Sequence, residues 1–341
     1  MRNIEITKKD KLLDENGILK HPGWSRNPVQ IYNKENIKAP KHRIKEWDYY
    51  LVLTNDFAVC FTVADLAYAA MQSVTFIDFK APFEITKTNI NHVGVMGKLN
   101  MPRSSENKDV IYTDAKTSIY FIKEDKKRKI VVYLDDFKDG MPFSCDIILD
   151  EPDMDSMVIA TPFKNNAKAF YYNQKINCMP AHGIVNCMGK KYEFKRYNSF
   201  GTLDWGRGVW TYDNTWFWGS GNAYVNEKPF GFNIGHGFGD TKAATENVIF
   251  YDGKANKLDE VGIYCESVDF MKPWFVTSFD DRFQMTFEPI INRSAKIDLK
   301  AIISDQNQVF GKMSGTAVLD DGTKLSIKDM TCFIEKVHNR Y

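Results

Sequence analysis

Paired strands joined by short turns constrain this chain more than any other feature in it. Residues 118–124 (SIYFIKE) and 130–137 (IVVYLDDF) are rich in β-branched and aromatic side chains and partly alternate in polarity. Between them lies the basic run Lys126-Lys127-Arg128-Lys129. That is the pattern of a hairpin with a solvated end. Residues 248–261 place Asp252-Gly253 between two strand-like runs, and residues 316–328 do the same with Asp321-Gly322. Asp-Gly supplies the positive φ that tight hairpin turns need. Asp139-Gly140 and Asn16-Gly17 mark further turns. Long helical periodicity is scarce, and residues 64–71 fit a short helix or a buried strand equally well. Trp47 and Tyr49 alternate as in a half-buried strand. Many short strands with regular turn signals predict an all-β sandwich or barrel. With 341 residues the chain has room for about two such units. No flexible linker interrupts residues 165–198, so the two units are expected to pack directly on each other.

Bulk charge excludes some classes of partner. The chain has 45 basic and 44 acidic residues, a net charge of +1, and no basic stripe for nucleic acid. The N-terminus lacks the apolar run of a signal peptide. The most apolar stretch, residues 49–71, is broken by Asp56 and Asp65, so no membrane span is expected. The expected location is the cytoplasm. None of the six cysteines has CxxC spacing or a metal-ligating neighbour, and they read as buried apolar side chains rather than disulfides or a zinc site. No metal and no organic cofactor is expected. The assembly state stays open, a homodimer included.

The segment from Tyr197 to Asp240 is unlike the rest of the chain. It holds four of the seven tryptophans and nine of the 21 glycines. Trp205, Trp210, Trp216 and Trp218 can wall a pocket for a small molecule, with a few fixed polar groups inside it, or fill an aromatic core. Asp204 and Arg207 lie three apart around Gly206 and could face one cavity or tie down a turn. A carboxyl buried against indoles holds its proton more tightly, which suits a proton donor. His236, between Gly235 and Gly237, is sterically accessible, and Asp240 follows close behind. Glu246 opens a strand at a barrel mouth or merely caps it. Tyr171, Tyr172 and Asn173 reach the same region if the barrel reading holds. The glycines at 235, 237 and 239 make no dinucleotide fingerprint, and neither a GxSxG nor a nucleophilic cysteine context is present.

Seven fragments carry a family resemblance: GWSRNP, RIKEWDYY, DSMVIATPF, FYYNQKINCMPA, DWGRGVWTY, FGDTKAATEN and the C-terminal EKVHNRY. Over nearly its full length the chain resembles a bacterial family catalogued as domain of unknown function 2804. More remotely, residues 170–218 resemble the carotenoid hydratase and AttH-like group of two-domain lipocalin-like proteins. The matching features are Tyr171-Tyr172, Gly183, Gly189, Asp204-Trp205-Gly206 and Trp216-Phe217-Trp218. Asp204 and Trp205 are adjacent here, whereas that group separates the acid from its Trp-Gly pair by two residues. The resemblance implies an all-β fold of two tandem lipocalin-like antiparallel β-barrels packed against each other, here divided as 1–195 and 196–341. It also implies a site within or between the barrels and chemistry without an organic cofactor.

Three functions remain open on the sequence. One is a cofactor-independent enzyme acting on a small apolar or mixed-polarity molecule by acid-catalysed addition, elimination or cyclisation. In that reading Asp204 donates the proton, Arg207, His236 and Asp240 assist, and Trp205, Trp210, Trp216, Trp218, Tyr172 and Glu246 line the pocket. The second is a carbohydrate-active enzyme with paired carboxylates. The third is a non-catalytic lipid or metabolite carrier.

Overall fold

The computed structural model describes residues 2–91, 99–298 and 303–340, so Tyr341 of the last motif lies outside the described residues. Strands account for nearly all regular structure, with two short 3₁₀ turns at Lys34–Asn36 and Lys41–Arg43. Among the described residues no helix is long and apolar enough to cross a membrane.

The strands form two large, curled antiparallel sheets. The first runs from the edge Phe83–Asn91 through Ala70–Asp78, Phe57–Asp65, Ile44–Leu53, Phe200–Val209, Asn166–Cys187, Met141–Asp150, Lys127–Lys138 and Thr117–Glu124 to the edge Val110–Thr113. Met157–Phe163, Gly23–Ser25 and Lys190–Phe194 pair beside that path. The second sheet is built from Asp213 onward, with Asp213–Val225, Lys324–Arg340 and Ile303–Val318 at its centre. The chain passes from one sheet to the other between Val209 and Asp213. Phe200–Val209, C-terminal to the expected boundary at 195/196, thus hydrogen-bonds in the first sheet, next to Ile44–Leu53.

One strand does most of the bending. Asn166–Cys187 is 22 residues long, and its two halves pair with different neighbours. The register shifts between Ile176 and Met179, where Cys178 takes φ 59°, a bulge that re-aims the strand. At Gly183, with φ 144°, a Cβ would lie 2.2 Å from the Asp146 carbonyl oxygen, so only glycine fits where the strand passes Asp146 and Ile147.

Alternation along the strands separates three apolar layers. Tyr50, Val52, Tyr172, Leu203 and Trp205 point into the first sheet's own core. Phe232, Ile234, Trp274, Phe287 and Ile334 fill the second sheet's core. Tyr49, Leu51 and Tyr171 from the first sheet and Trp218, Phe238 and Phe333 from the second meet in a layer between the sheets.

The sequence reading needs three local corrections. Ile44–Leu53 is buried on both faces along almost its whole length, not half-buried, because a core lies on either side of it. Residues 64–71 are neither a helix nor one strand. They end one strand and begin the next, around a turn closed by Leu66 N–H to Ala69 O at 2.8 Å. The basic run is not wholly solvated, since Arg128 is buried against Glu151 at 2.9 Å. The Asp-Gly hairpins form as expected, and all six cysteines are free thiols, five of them buried.

Candidate functional site

The layer between the sheets holds a cluster of buried and half-buried ionisable groups. On the first sheet, Lys175 and Asp204 are register partners, and Asp204 is also paired with Tyr49. Period-two alternation therefore brings Tyr171, Asn173, Lys175, Asp204, Trp47 and Tyr49 to the same face. Asp204 accepts from Asn173 Nδ2 at 2.5 Å, from Lys175 Nζ at 2.9 Å and from Trp47 Nε1 at 3.2 Å. Gly206 opposes Trp47 across the ladder, and a Cβ there would lie 2.1 Å from the indole. The missing side chain is what lets that indole lie down over the strand and reach Asp204.

The second sheet supplies the facing half. Lys175 Nζ sits 3.9 Å from the Trp218 ring centroid, so one buried cation joins a carboxylate of the first sheet to an indole of the second. Trp218 Nε1 donates to Asn233 Oδ1 at 2.7 Å, and Asn233 Nδ2 donates to the Glu246 carbonyl at 2.9 Å. Glu335 accepts from Trp216 Nε1 at 3.0 Å and from Gln308 Nε2 at 3.1 Å. Gln308 also reaches the Tyr49 hydroxyl at 3.3 Å.

Burial sets the proton affinities. Loss of solvation pushes both Glu246 and Glu335 up to about 7, with nearby Asp204 adding to the rise and Lys175 opposing it. Desolvation also holds the Tyr171 hydroxyl far above its ordinary value, reinforced by the charges of Glu246, Asp204 and Glu335. Among the described residues, four buried polar atoms in this layer have no hydrogen-bond partner: Tyr171 Oη, Asn173 Oδ1, Trp210 Nε1 and Glu246 Oε1. Orphaned buried groups cost on the order of 1–3 kcal/mol each, so each calls for a compensating role or a bound partner. A small cavity of about 10 Å³ lies among Tyr171, Gly235, His236, Phe238 and Glu246, room for about one water. Aromatic rings close it in. Tyr171 stacks on Phe238 at 4.9 Å, and Trp210 tilts against Trp216 at 5.2 Å.

The structure brings together only some of the residues expected from sequence. Asp204, Trp210, Trp216, Trp218 and Glu246 meet in this layer. Arg207 does not, because three positions along a strand reverse the face. The expected Asp204–Arg207 pair is absent. Arg207 is fully buried in the first core, 2.9 Å from Asp48 and 4.1 Å from the Trp205 ring, and its guanidinium also donates to the Trp47, Gly206 and Pro102 carbonyls. Trp205 and Tyr172 lie on that same inner side, with the Tyr172 hydroxyl donating to the Gln30 carbonyl at 2.7 Å. Tyr171, one residue earlier, takes the place expected for Tyr172. His236 borders the small cavity from an exposed strand end, tilted against Phe217 at 5.0 Å, and desolvation lowers its pKa. Asp240 stays outside. Its backbone N–H donates to the Pro162 carbonyl, and its carboxylate caps Lys242 N–H at 3.2 Å.

Lys175 and Glu335 were not picked out from sequence, nor were Trp47 and Phe238 placed at the site. The alternation Tyr171, Asn173, Lys175 was the available signal for the lysine. Glu335 lay in plain view in EKVHNRY, but nothing local ties it to residues 130 positions away. Among the described residues no group of three or more His, Cys, Asp or Glu is arranged to hold a metal ion.

The fold has solved relatives at low identity. Kievitone hydratase from Nectria haematococca superposes with a TM-score of 0.50 at 9% identity, over 97% of each chain. A protein of Nitrosomonas europaea described as a candidate AttH superposes with a TM-score of 0.51 at 12% identity, over 91% of this chain and 98% of its own. At such identities the likeness is one of architecture: two curled antiparallel sheets. No curated protein matches by sequence. The profile of the family described as domain of unknown function, DUF2804, matches residues 3–341, and the chain belongs to that family.

Proposed function

We propose that the protein is a cofactor-independent hydro-lyase, adding water to, or removing it from, a small and largely apolar unsaturated molecule held between the two sheets. The observation that carries this reading is Glu246. Its carboxyl is buried, is raised to about 7, leaves one oxygen unpartnered, and borders a cavity of one-water size. A carboxyl with that affinity holds its proton at neutral pH and can part with it. In the addition direction, the Glu246 proton goes to one carbon of a C=C bond. The neighbouring carbon becomes electron-poor, and the oxygen of a water in the cavity bonds to it. That water then returns one proton to the Glu246 carboxylate, so the acid is regenerated and one water is gained. Cyclisation would use the same first step, with the cation captured within the substrate.

Asp204 takes a different role from the proton donor expected on sequence grounds. Its oxygens are engaged by Lys175, Asn173 and Trp47, so it acts as a fixed negative centre that raises Glu246 and Glu335. The indoles of Trp210 and Trp216 offer π-faces to developing positive charge, whereas Trp218 already carries the Lys175 ammonium. Because these rings pack on one another, substrate entry requires Trp210 and Phe238 to part, and the glycine-flanked segment after His236 is where the chain can give. The aromatic faces stack on each other rather than along a cleft, which favours a compact substrate over a sugar chain.

The test is incubation with a panel of apolar alkenes and their alcohols, kievitone among them, in heavy-oxygen water, followed by mass spectrometry. A product heavier by one labelled water, lost about 10²–10⁴-fold on Glu246→Gln, is the expected result. Label incorporation that survives Glu246→Gln undiminished would remove Glu246 from the mechanism.

A further inference from the structure

Among the described residues no backbone ladder joins the two edges of the first sheet. Its edge strands, Phe83–Asn91 and Val110–Thr113, each have a single ladder partner. Side chains bridge them to the opposite side of the seam. Asn91 Nδ2 donates to the Tyr112 hydroxyl at 2.7 Å, Asn89 Nδ2 to Asp114 at 3.4 Å, and Lys87 Nζ to Asp136 at 3.2 Å. A cavity of about 230 Å³ opens in this seam. Its floor is Val74, Ile119 and Leu134, all members of the first core. It lies inside the first sheet's curl, on the side away from the layer between the sheets.

Two features of the lining point to what it holds. Gln72 is 2% exposed, its carbonyl oxygen is taken by Asn91 at 3.2 Å, and among the described residues its Nε2 has no partner. A buried amide donor without an acceptor is costly, and Gln72 is one of the residues that line the cavity. The charges at the rim are also unbalanced. Lys87 and Lys116 line the cavity against one acid, Asp136. Asp136 is already bound to Gly140 N–H and Lys87, which hold its carboxyl below the ordinary carboxylate range. Among the described residues Lys116 forms no ion pair. Asp114 at the same seam is consumed by its own turn, accepting from the N–H groups of Lys116 and Thr117, both at 2.8 Å, and from the Tyr112 hydroxyl at 2.7 Å.

We infer that this seam is a binding site for a small monocarboxylic acid with a compact apolar or aromatic tail. The carboxylate accepts from the Gln72 amide and pairs with Lys116, and the tail rests on Val74, Ile119 and Leu134. The volume is below the usual range for drug-sized ligands, which sets the scale at about one ring or a short branched chain. This site shares no residue with the hydro-lyase site.

Benzoate is the probe, with benzyl alcohol and benzylammonium as neutral and cationic matches. Each is titrated into the full-length protein and followed by nitrogen-15 NMR at the Gln72 side-chain amide and the Thr117 N–H. Saturable shifts at both positions are expected with benzoate, weaker ones with the alcohol and the weakest with the cation. Lys116→Glu, at an exposed position, should weaken benzoate about tenfold and reverse the order of the charged probes. Leu134→Trp should fill the floor and abolish binding of all three. No saturable response to benzoate, equal affinity for the three probes, or shifts confined to Tyr171 and Glu246 would each overturn the assignment.

Discussion

At the residue scale, what separates a functional group from a structural one here is which side of a strand it occupies. Asp204 and Arg207 are neighbours in sequence and both are charged and buried, yet they belong to different layers. Arg207 is fully spent on Asp48 and three carbonyls, whereas Glu246 retains a free oxygen. The pH dependence follows from the raised carboxyls. Glu246 and Glu335 lie near 7 in the fold against an ordinary 4.5, so between those values the folded chain holds protons that the unfolded chain has lost. Their contribution to stability therefore falls as pH rises from about 4.5 to about 7. Buried Lys257 is lowered to about 7 from 10.5, so it costs stability below about 7 and the cost is relieved between about 7 and about 10.5. Glu246→Gln should raise the melting temperature relative to wild type at about pH 8 and leave it nearly unchanged at about pH 5. A gain of equal size at both values would mean that Glu246 does not titrate in this window. Removing the cation instead should be harmful. Lys175→Met leaves Asp204 buried without its ion pair and is expected to cost about 3–5 kcal/mol in urea unfolding. Adding Asp204→Asn should restore part of that loss, and strictly additive losses would show that the two groups are not coupled.

At the element scale, strands carried by hairpins were readable because Asp-Gly and β-branched runs act locally. Phase was less readable. Asn166–Cys187 shifts its register at a bulge between Ile176 and Met179, and no local pattern announces it. The face of Tyr171 against Tyr172 was likewise left unsettled, because both rings are buried, one in each layer. Strands such as Ile44–Leu53 lose the polar-apolar alternation that would reveal their faces, since cores lie on both sides. Lys175 and Glu335 were missed for a related reason, since their partners lie on the other sheet or far along the chain. One glycine tests the element-level account. Gly206→Ala places a methyl 2.1 Å from the Trp47 indole and should destabilise by about 1–3 kcal/mol, with the loss of the Trp47–Asp204 hydrogen bond visible in the indole N–H resonance. An unshifted Trp47 indole signal in a stable variant would refute the close approach.

At the scale of the whole molecule, the two sheets do more than stack. Each closes a core of its own, and the third layer, where they meet, holds the two carboxyls of raised proton affinity beside four of the unpartnered buried polar atoms. Every one of the seven motif fragments sends at least one residue there: Trp24, Trp47, Ile159, Tyr171, Asp204, Phe238 and Glu335. The sequence singled out those fragments, but their convergence is a long-range property of how the sheets pack. Titration of the glutamate carboxyls by carbon-13 NMR in the intact protein tests the central claim most directly, with Glu246→Gln and Glu335→Gln assigning the signals. Two resonances with midpoints near 7, each lost in its own variant, are the predicted result. Midpoints that all fall in the ordinary carboxylate range, near about 4.3, would contradict a proton-donating site between the sheets.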